Sequence, residues 1–223
     1  MRVAALYDVH ANVPALEAVL ADVERERVDT IVFGGDLTWG PEPSEALTIV
    51  RSLPHARFVR GNCDREPDEW ERSRLSAGDV TFLQGLPETL ELDAVLYCHA
   101  TPRSDEEIVT PATSDEDLAE ILQGVEQQAV IAGHTHMQQD RQIGTVRFVN
   151  AGSVGLPYEG ELAAFWALVD DGEIELRKTS LEVDRVAAAF RRSDWPRAEE
   201  LLRENVLASV TREEATAQIE ARR

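Results

Sequence analysis

Apolar and polar residues alternate in period along this chain in a way that predicts its elements one by one. Arg2 to Tyr7 runs into a continuous apolar stretch, the pattern of a strand buried on both faces. Asn12 can then cap a helix whose first turn takes Val13-Pro14 and whose apolar stripe is Leu16, Val19, Leu20 and Val23. Thr30–Phe33 reads as a second buried strand, ended by Gly34-Gly35. Ser44 can cap a helix carrying Ala46, Leu47, Ile49 and Val50, and Arg57–Arg60 is a third strand, ended by Gly61. Strand, helix, strand, helix, strand in that order predicts a parallel α/β layer.

Beyond it the pattern predicts a charged helical stretch over 66–83, strands over 88–92 and 94–98, a loop over 100–113, a helix over 115–122 and a buried strand over 129–132. Two hairpins follow. Ile143-Gly144 joins the strands 139–142 and 146–149, and Asp171-Gly172 joins 164–169 to 173–178. Parallel units first and antiparallel strands later predict two sheets facing each other. From Asp184 the pattern is helical and charged, interrupted at Pro196. This tail either packs on the sandwich edge or serves dimer contacts. No repeat or linker divides the chain, so one domain over 1–223 is expected, with a core of about 1–180 and a helical extension of about 184–223.

The chain has 223 residues, 43% hydrophobic and 29% charged, which bounds it to one sizeable globular domain. No apolar run reaches the ~20 residues of a membrane helix. The formal net charge is −20, which disfavours long nucleic acid as a partner. Only two cysteines are present, Cys63 and Cys98, so a disulfide framework is not expected and the default location is cytoplasmic.

Histidine changes the picture. Four of the five, His10, His99, His134 and His136, fall within short segments at predicted strand ends: Asp8-Val9-His10, Gly34-Gly35-Asp36, Gly61-Asn62-Cys63-Asp64, Cys98-His99 and Gly133-His134-Thr135-His136. Asp8, His10, Asp36, Asn62, His99, His134 and His136 are seven candidate ligands for two ions. Strand-end loops bring residues from different strands together, and neighbouring glycines let the backbone turn sharply. Nitrogen and oxygen donors without thiolate suit two divalent transition metal ions, manganese first, with iron, nickel, cobalt or zinc as alternatives. His55 lies outside every segment and reads as a surface residue. Ser153 lacks the frame of a serine nucleophile. Trp39 either lines a substrate pocket or packs at a loop base.

The ordered series D-x-H, G-G-D, G-N-C-D, H, G-H-T-H resembles that of the calcineurin-like metallophosphoesterases, and Asn150-Ala151-Gly152-Ser153-Val154-Gly155 is similar to the N-P-G-S-V-G stretch of their small bacterial and archaeal phosphodiesterase branch. The resemblance spans about residues 1–180. It implies a four-layer α/β/β/α sandwich of two mixed sheets with a dinuclear site. It implies that Asp8, His10, Asp36 and His136 hold one metal, and that Asp36, Asn62, His99 and His134 hold the second, with Asp36 bridging. The mechanism implied is in-line attack on phosphorus by a metal-bound hydroxide, with Asn62 and His99 in catalytic positions. Cys63 stands where members active on monoesters often carry histidine, and Asp64 takes the acidic position that would orient that histidine. Cysteine there points to diesters, and a small phosphodiester or nucleotide-like molecule is the expected substrate. A phosphomonoesterase or nucleotidase on the same metals is the alternative, and a non-catalytic metal-binding scaffold a third reading. The C-terminal helices and an exposed sheet edge are candidate surfaces for a homodimer.

Overall fold

The computed structural model describes residues 1–221. The first sheet starts with β1 (Arg2–Leu6), followed by α1 (Val13–Glu26), β2 (Thr30–Phe33), α2 (Pro43–Ser52) and β3 (Ala56–Phe58). β1 and β2 pair in parallel, as do β2 and β3. Asn12 caps α1 as its sequence position predicts, accepting from the Ala15 amide. Ser44 does not cap α2. The fixed φ of Pro43 suits it to the first turn, so the cap falls on Glu42, and the Ser44 hydroxyl donates instead to the Arg74 carbonyl.

The stretch over 66–83 is not one helix: α3 (Asn62–Arg65) ends before it, and it holds two short ones, α4 (Glu69–Arg74) and α5 (Ala77–Gln84). The breaks have local causes. Asp68 with Glu71, and Ser76 with Asp79, each form a reciprocal capping box, and each box opens a new helix.

The second sheet holds β4 (Thr89–Leu92), β5 (Val95–Cys98), β6 (Ala129–Ala132), β7 (Gln139–Ile143) and β8 (Val146–Asn150), with α6 (Asp115–Ile121) crossing between β5 and β6. Its order is β4-β5-β6-β8-β7, parallel in the interior and antiparallel at both edges. The last hairpin, β9 (Ala163–Asp170) and β10 (Glu173–Ser180), does not extend this sheet. It joins the first one, giving the order β10-β9-β1-β2-β3. Both sheets are therefore mixed, as the resemblance implies, and the later antiparallel strands are shared between them. The reason is visible in β9 itself, buried from Ala163 to Val169, which suits an interior strand against β1. Its turn at Asp171-Gly172, with φ of 49° and 92°, has the left-handed conformation of a tight hairpin.

Apolar side chains fill three layers. Ala5, Tyr7, Val32, Tyr97, Ile131 and Val149 pack between the sheets. Leu6, Leu16, Val19, Phe33 and Leu47 lie under α1 and α2, and Leu118, Ile121, Val130 and Phe148 under α6. The result is the α/β/β/α sandwich that the resemblance implies. The tail forms α7 (Val183–Arg192), α8 (Ala198–Leu201), a π-helical turn over Leu202–Leu207 and α9 (Arg212–Glu220). Its Phe190, Trp195, Leu201 and Leu202 pack back on Leu156 of the sandwich. Among the described residues no helix is long and apolar enough to cross a membrane.

Asn12 does two jobs in this frame. Beside the α1 cap, its amide donates to the Gly155 carbonyl at 2.9 Å, and the side chain is fully buried. Asn12→Ala is expected to cost about 2–4 kcal/mol, the sum of a lost cap and an orphaned buried carbonyl, measured by urea unfolding.

Candidate metal centre

The candidate ligands follow the carboxyl ends of five of the six strands with parallel neighbours: Asp8 and His10 after β1, Asp36 after β2, Asn62 after β3, His99 after β5, His134 and His136 after β6. At five of these seven positions the backbone turns left-handed. The φ values are 53° at Asp8, 47° at His10, 53° at Asp36, 66° at His134 and 58° at His136. Such conformations are costly for residues other than glycine and persist only where the surroundings enforce them. Here the enforcement is a set of buried hydrogen bonds. Asp64 accepts from the amides of Asp36 at 2.8 Å, Leu37 at 3.0 Å and Gly61 at 2.9 Å. Ser153 donates to the Asp8 carbonyl at 2.9 Å, and the Gly155 amide does the same at 2.9 Å. Asn150 donates to the Gly133 carbonyl at 2.5 Å and to the Thr135 hydroxyl at 3.1 Å. Close approach also demands glycine at Gly61, where a Cβ would stand 2.2 Å from Asp36 Oδ1.

The side chains converge. His136 Nε2 lies 3.4 Å from Asp8 Oδ1, and His10 Nε2 lies 3.8 Å from both Asp8 Oδ1 and Asp36 Oδ2. His99 Nε2 lies 3.5 Å from Asp36 Oδ1 and 3.0 Å from Asn62 Oδ1. Two groups have the spacing of metal ligands: Asp8, His10 and His136, and Asp8, Asp36 and His99. Asp36 faces both halves, one oxygen to each. His134 stands beside His99, the ring centroids 5.2 Å apart, and is not within either tight group.

The imidazole protons decide what the cluster can hold. Nδ1 of His10 donates to the Trp39 carbonyl at 3.1 Å, Nδ1 of His99 to Gly34 at 2.8 Å and Nδ1 of His136 to Leu156 at 2.6 Å. Carbonyls only accept, so each Nδ1 carries a proton and Nε2 is the nitrogen turned inward. Burial, then His136, brings His10 down to about 4, and burial, then His99, does the same to His134, so both are neutral. His10 Nε2 and His136 Nε2 are nonetheless 3.0 Å apart. Two imidazole nitrogens this close need a proton or a metal ion between them, and two nitrogens at ~2.0–2.1 Å from one ion are about 3 Å apart. Asp8 Oδ1, buried in the same space, has no hydrogen-bond partner. The donor set fits divalent ions.

Burial works against ionising Asp8, but His136, His99 and His10 hold its carboxyl below the usual range. For His99, burial pulls the imidazole down while Asp36 and Asp8 raise it above its ordinary value. Cys63 stays a thiol, since burial and then Asp36 push it well up. Its amide donates to Asp36 Oδ1 at 2.9 Å, which fixes the carboxylate from that side. Asp64 has both oxygens on backbone amides, and burial with the Asp36 charge pushes it up to about 7. Its geometry is that of a positioning residue. His55 is exposed, as its place outside the segments predicts. Beside His99 opens a cavity of about 250 Å³ lined also by Arg65, Thr101 and Arg103. There Arg65 pairs with Asp105 at 2.7 Å and Glu106 at 2.6 Å.

Residues 1–170 match the model of the calcineurin-like phosphoesterase superfamily domain. The chain belongs to this superfamily. It is 28% identical to the phosphodiesterase YfcE of Escherichia coli over 176 residues, covering 74% of this chain and 85% of that one. It is 24% identical over 229 residues to an uncharacterized protein of Methanocaldococcus jannaschii, covering 82% and 88%. Among solved structures, the metallophosphoesterase of Sphaerobacter thermophilus superposes with a TM-score of 0.81 at 26% identity, covering 94% of this chain and 100% of that one.

The Asp64 clamp gives a test of its own. In the presence of a chelator, Asp64→Asn is expected to lower stability to urea by about 1–3 kcal/mol, because the side-chain NH2 replaces one acceptor oxygen and faces a buried backbone amide. After metal loading, mass spectrometry should find fewer ions per chain than in the parent protein.

Proposed function

We propose that this protein is a divalent-metal-dependent phosphodiesterase acting on small substrates. The observation that carries the reading is the pair of inward-facing Nε2 atoms, 3.0 Å apart, beside the unpartnered Asp8 Oδ1. Asp8, His10, Asp36 and His136 would hold one ion, and Asp36, Asn62, His99 and His134 the other. The two oxygens of Asp36, one toward His10 and one toward His99, support its place as the bridge. When bound, two such ions supply an activated water and neutralise charge on the phosphoryl oxygens. The protein's own part is to orient. Backbone carbonyls lock three imidazoles, and the Asn62 amide nitrogen, which donates to the Cys63 sulfur at 3.6 Å, would turn to a phosphoryl oxygen when substrate binds. The Cys63 thiol carries no positive charge, so protonating a poor leaving group falls outside its chemistry. That favours diesters with good leaving groups over monoesters. Manganese is the first metal to try, and the unpaired state of Cys63 and Cys98 supports a reducing, cytoplasmic setting.

Purified without chelator, the protein is expected to cleave bis-p-nitrophenyl phosphate in the presence of Mn²⁺ and to leave p-nitrophenyl phosphate largely intact. Equal turnover of both would sink the diester reading and favour the phosphatase. Asp36→Asn should lose activity and metal together; an active, fully metallated variant removes Asp36 from the bridge. Cys63→His should raise monoester turnover by roughly a hundred-fold, the scale of a restored general acid.

A further inference from the structure

Trp39, Tyr158 and Arg197 stand beside the centre without being candidate ligands, and Trp39 also packs against the apolar cluster of the helical extension. Trp39 meets the His10 ring edge-on at 5.4 Å, and its carbonyl is the acceptor that orients that ring. Tyr158 stacks on His136, the centroids 4.9 Å apart and the planes 24° from parallel, and its amide donates to the His136 carbonyl at 3.2 Å. Arg197 places its guanidinium 5.2 Å from the centre of the Trp39 ring, within electrostatic reach of Tyr158. Arg197 lies beyond the residues matched to the superfamily model, in the helical extension.

The extension is anchored so as to deliver this arginine. Trp195 is 3% exposed and packs against Trp39 at 5.0 Å, Pro196 interrupts the helical run, and Arg197 follows with 45% of its side chain exposed. Anchoring is thus the work of Trp195 and its neighbours, while Arg197 remains at the surface. Its pairing with Glu200, at 2.5 and 3.2 Å, is solvent-exposed and weak enough to yield to a ligand. A guanidinium laid on an indole is a preformed platform for another planar group. On a chain of net charge −20, a cation beside the centre also favours an anionic substrate.

We propose that Trp39, Tyr158 and Arg197 form a subsite for the planar ring of a substrate phosphoester, a nucleobase or aryl group, so that the C-terminal extension sets specificity. This rests on the phosphoesterase reading of the same centre. Both aromatic residues are tied by backbone hydrogen bonds to candidate ligand histidines, so a ring held there would keep its phosphate in register with bound ions. The sequence offers Trp39 alone as a candidate for a substrate pocket, because Tyr158 and Arg197 come beside the centre only through the fold.

The test compares two probes that share a sugar phosphate and differ by the base. With the Mn²⁺-loaded protein, calorimetry should show adenosine monophosphate binding about ten-fold tighter than ribose phosphate, the scale of one stacked base. Arg197→Ala and Tyr158→Leu should each bring that ratio toward one, with metal content per chain unchanged. In turnover, the ratio of kcat/KM for bis-p-nitrophenyl phosphate over methyl p-nitrophenyl phosphate should fall by about ten-fold in the same variants, through KM and not kcat. Taking the ratio to the parent protein cancels the intrinsic reactivity of the two esters. Equal affinities in the parent, or ratios unmoved in fully metallated variants, overturn the subsite. Cleavage of both diesters without a base preference would sink the subsite alone. A base preference without any diester turnover would uphold the subsite and sink the phosphodiesterase reading.

Discussion

The Nε2 atoms of His10 and His136 point at each other across 3.0 Å, and much of the architecture serves to keep them there. Each imidazole has given its proton-bearing nitrogen to a backbone carbonyl, so neither can turn away. Asp8 brings a buried, unpartnered oxygen to the same space, and Asp36 another carboxylate beside it. Without a cation such a cluster is electrostatically unfavourable, since burial penalises the carboxylates and the facing nitrogens need a proton or a metal ion between them. The fold therefore carries a local conflict that divalent ions relieve. It is the kind of departure from internal consistency that marks a functional site.

Relief at the centre does not by itself hold the centre open. The left-handed residues at the strand ends would relax if their loops were free, at a cost avoided of about 1–2 kcal/mol for each. They are held by groups that never approach the ions. Asp64 binds three amides across the second and third strand-end loops. Asn150, Ser153 and Gly155 bind the first and the last. The Tyr7 hydroxyl crosses from one sheet to the other to reach the Ile131 carbonyl at 2.7 Å, just before Asp8 leaves its strand. The two sheets are thereby fixed where their loops meet, and the geometry of the centre becomes a property of the whole sandwich.

What the sequence discloses divides along this line. The ligand candidates are legible because their chemistry is local: an acid or imidazole beside glycine, directly after a run of buried apolar residues. The strands and α1 are legible for the same reason. The clamps are not, because their partners are remote. Ser153 acts on Asp8, 145 residues away, and Asn150 on Gly133, 17 away. The similarity of 150–155 to a known stretch marks the segment without saying what it does. The return of β9 to the first sheet is hidden likewise, since the apolar run of 163–169 fits an interior strand of either sheet. Helix breaks at Asp68 and Ser76 were present in the sequence as capping boxes, but charge periodicity across them reads as continuous.

The acidity of the surface and the anionic substrate proposed for the centre are compatible once distance is considered. At physiological ionic strength, exposed charges more than ~8 Å apart are largely screened. A small phosphoester at the ions therefore responds to the nearby imidazoles, the ions themselves and Arg197, and only weakly to most of the net −20. A polymer differs. Every further phosphate laid along the protein meets fresh carboxylates within that distance, and it brings no compensating release of counterions at acidic groups. On the proposed reading charge would select by substrate length. The centre would admit one phosphate, Trp39, Tyr158 and Arg197 would offer a place for one planar group beside it, and the acidic surface beyond would repel the rest of a chain.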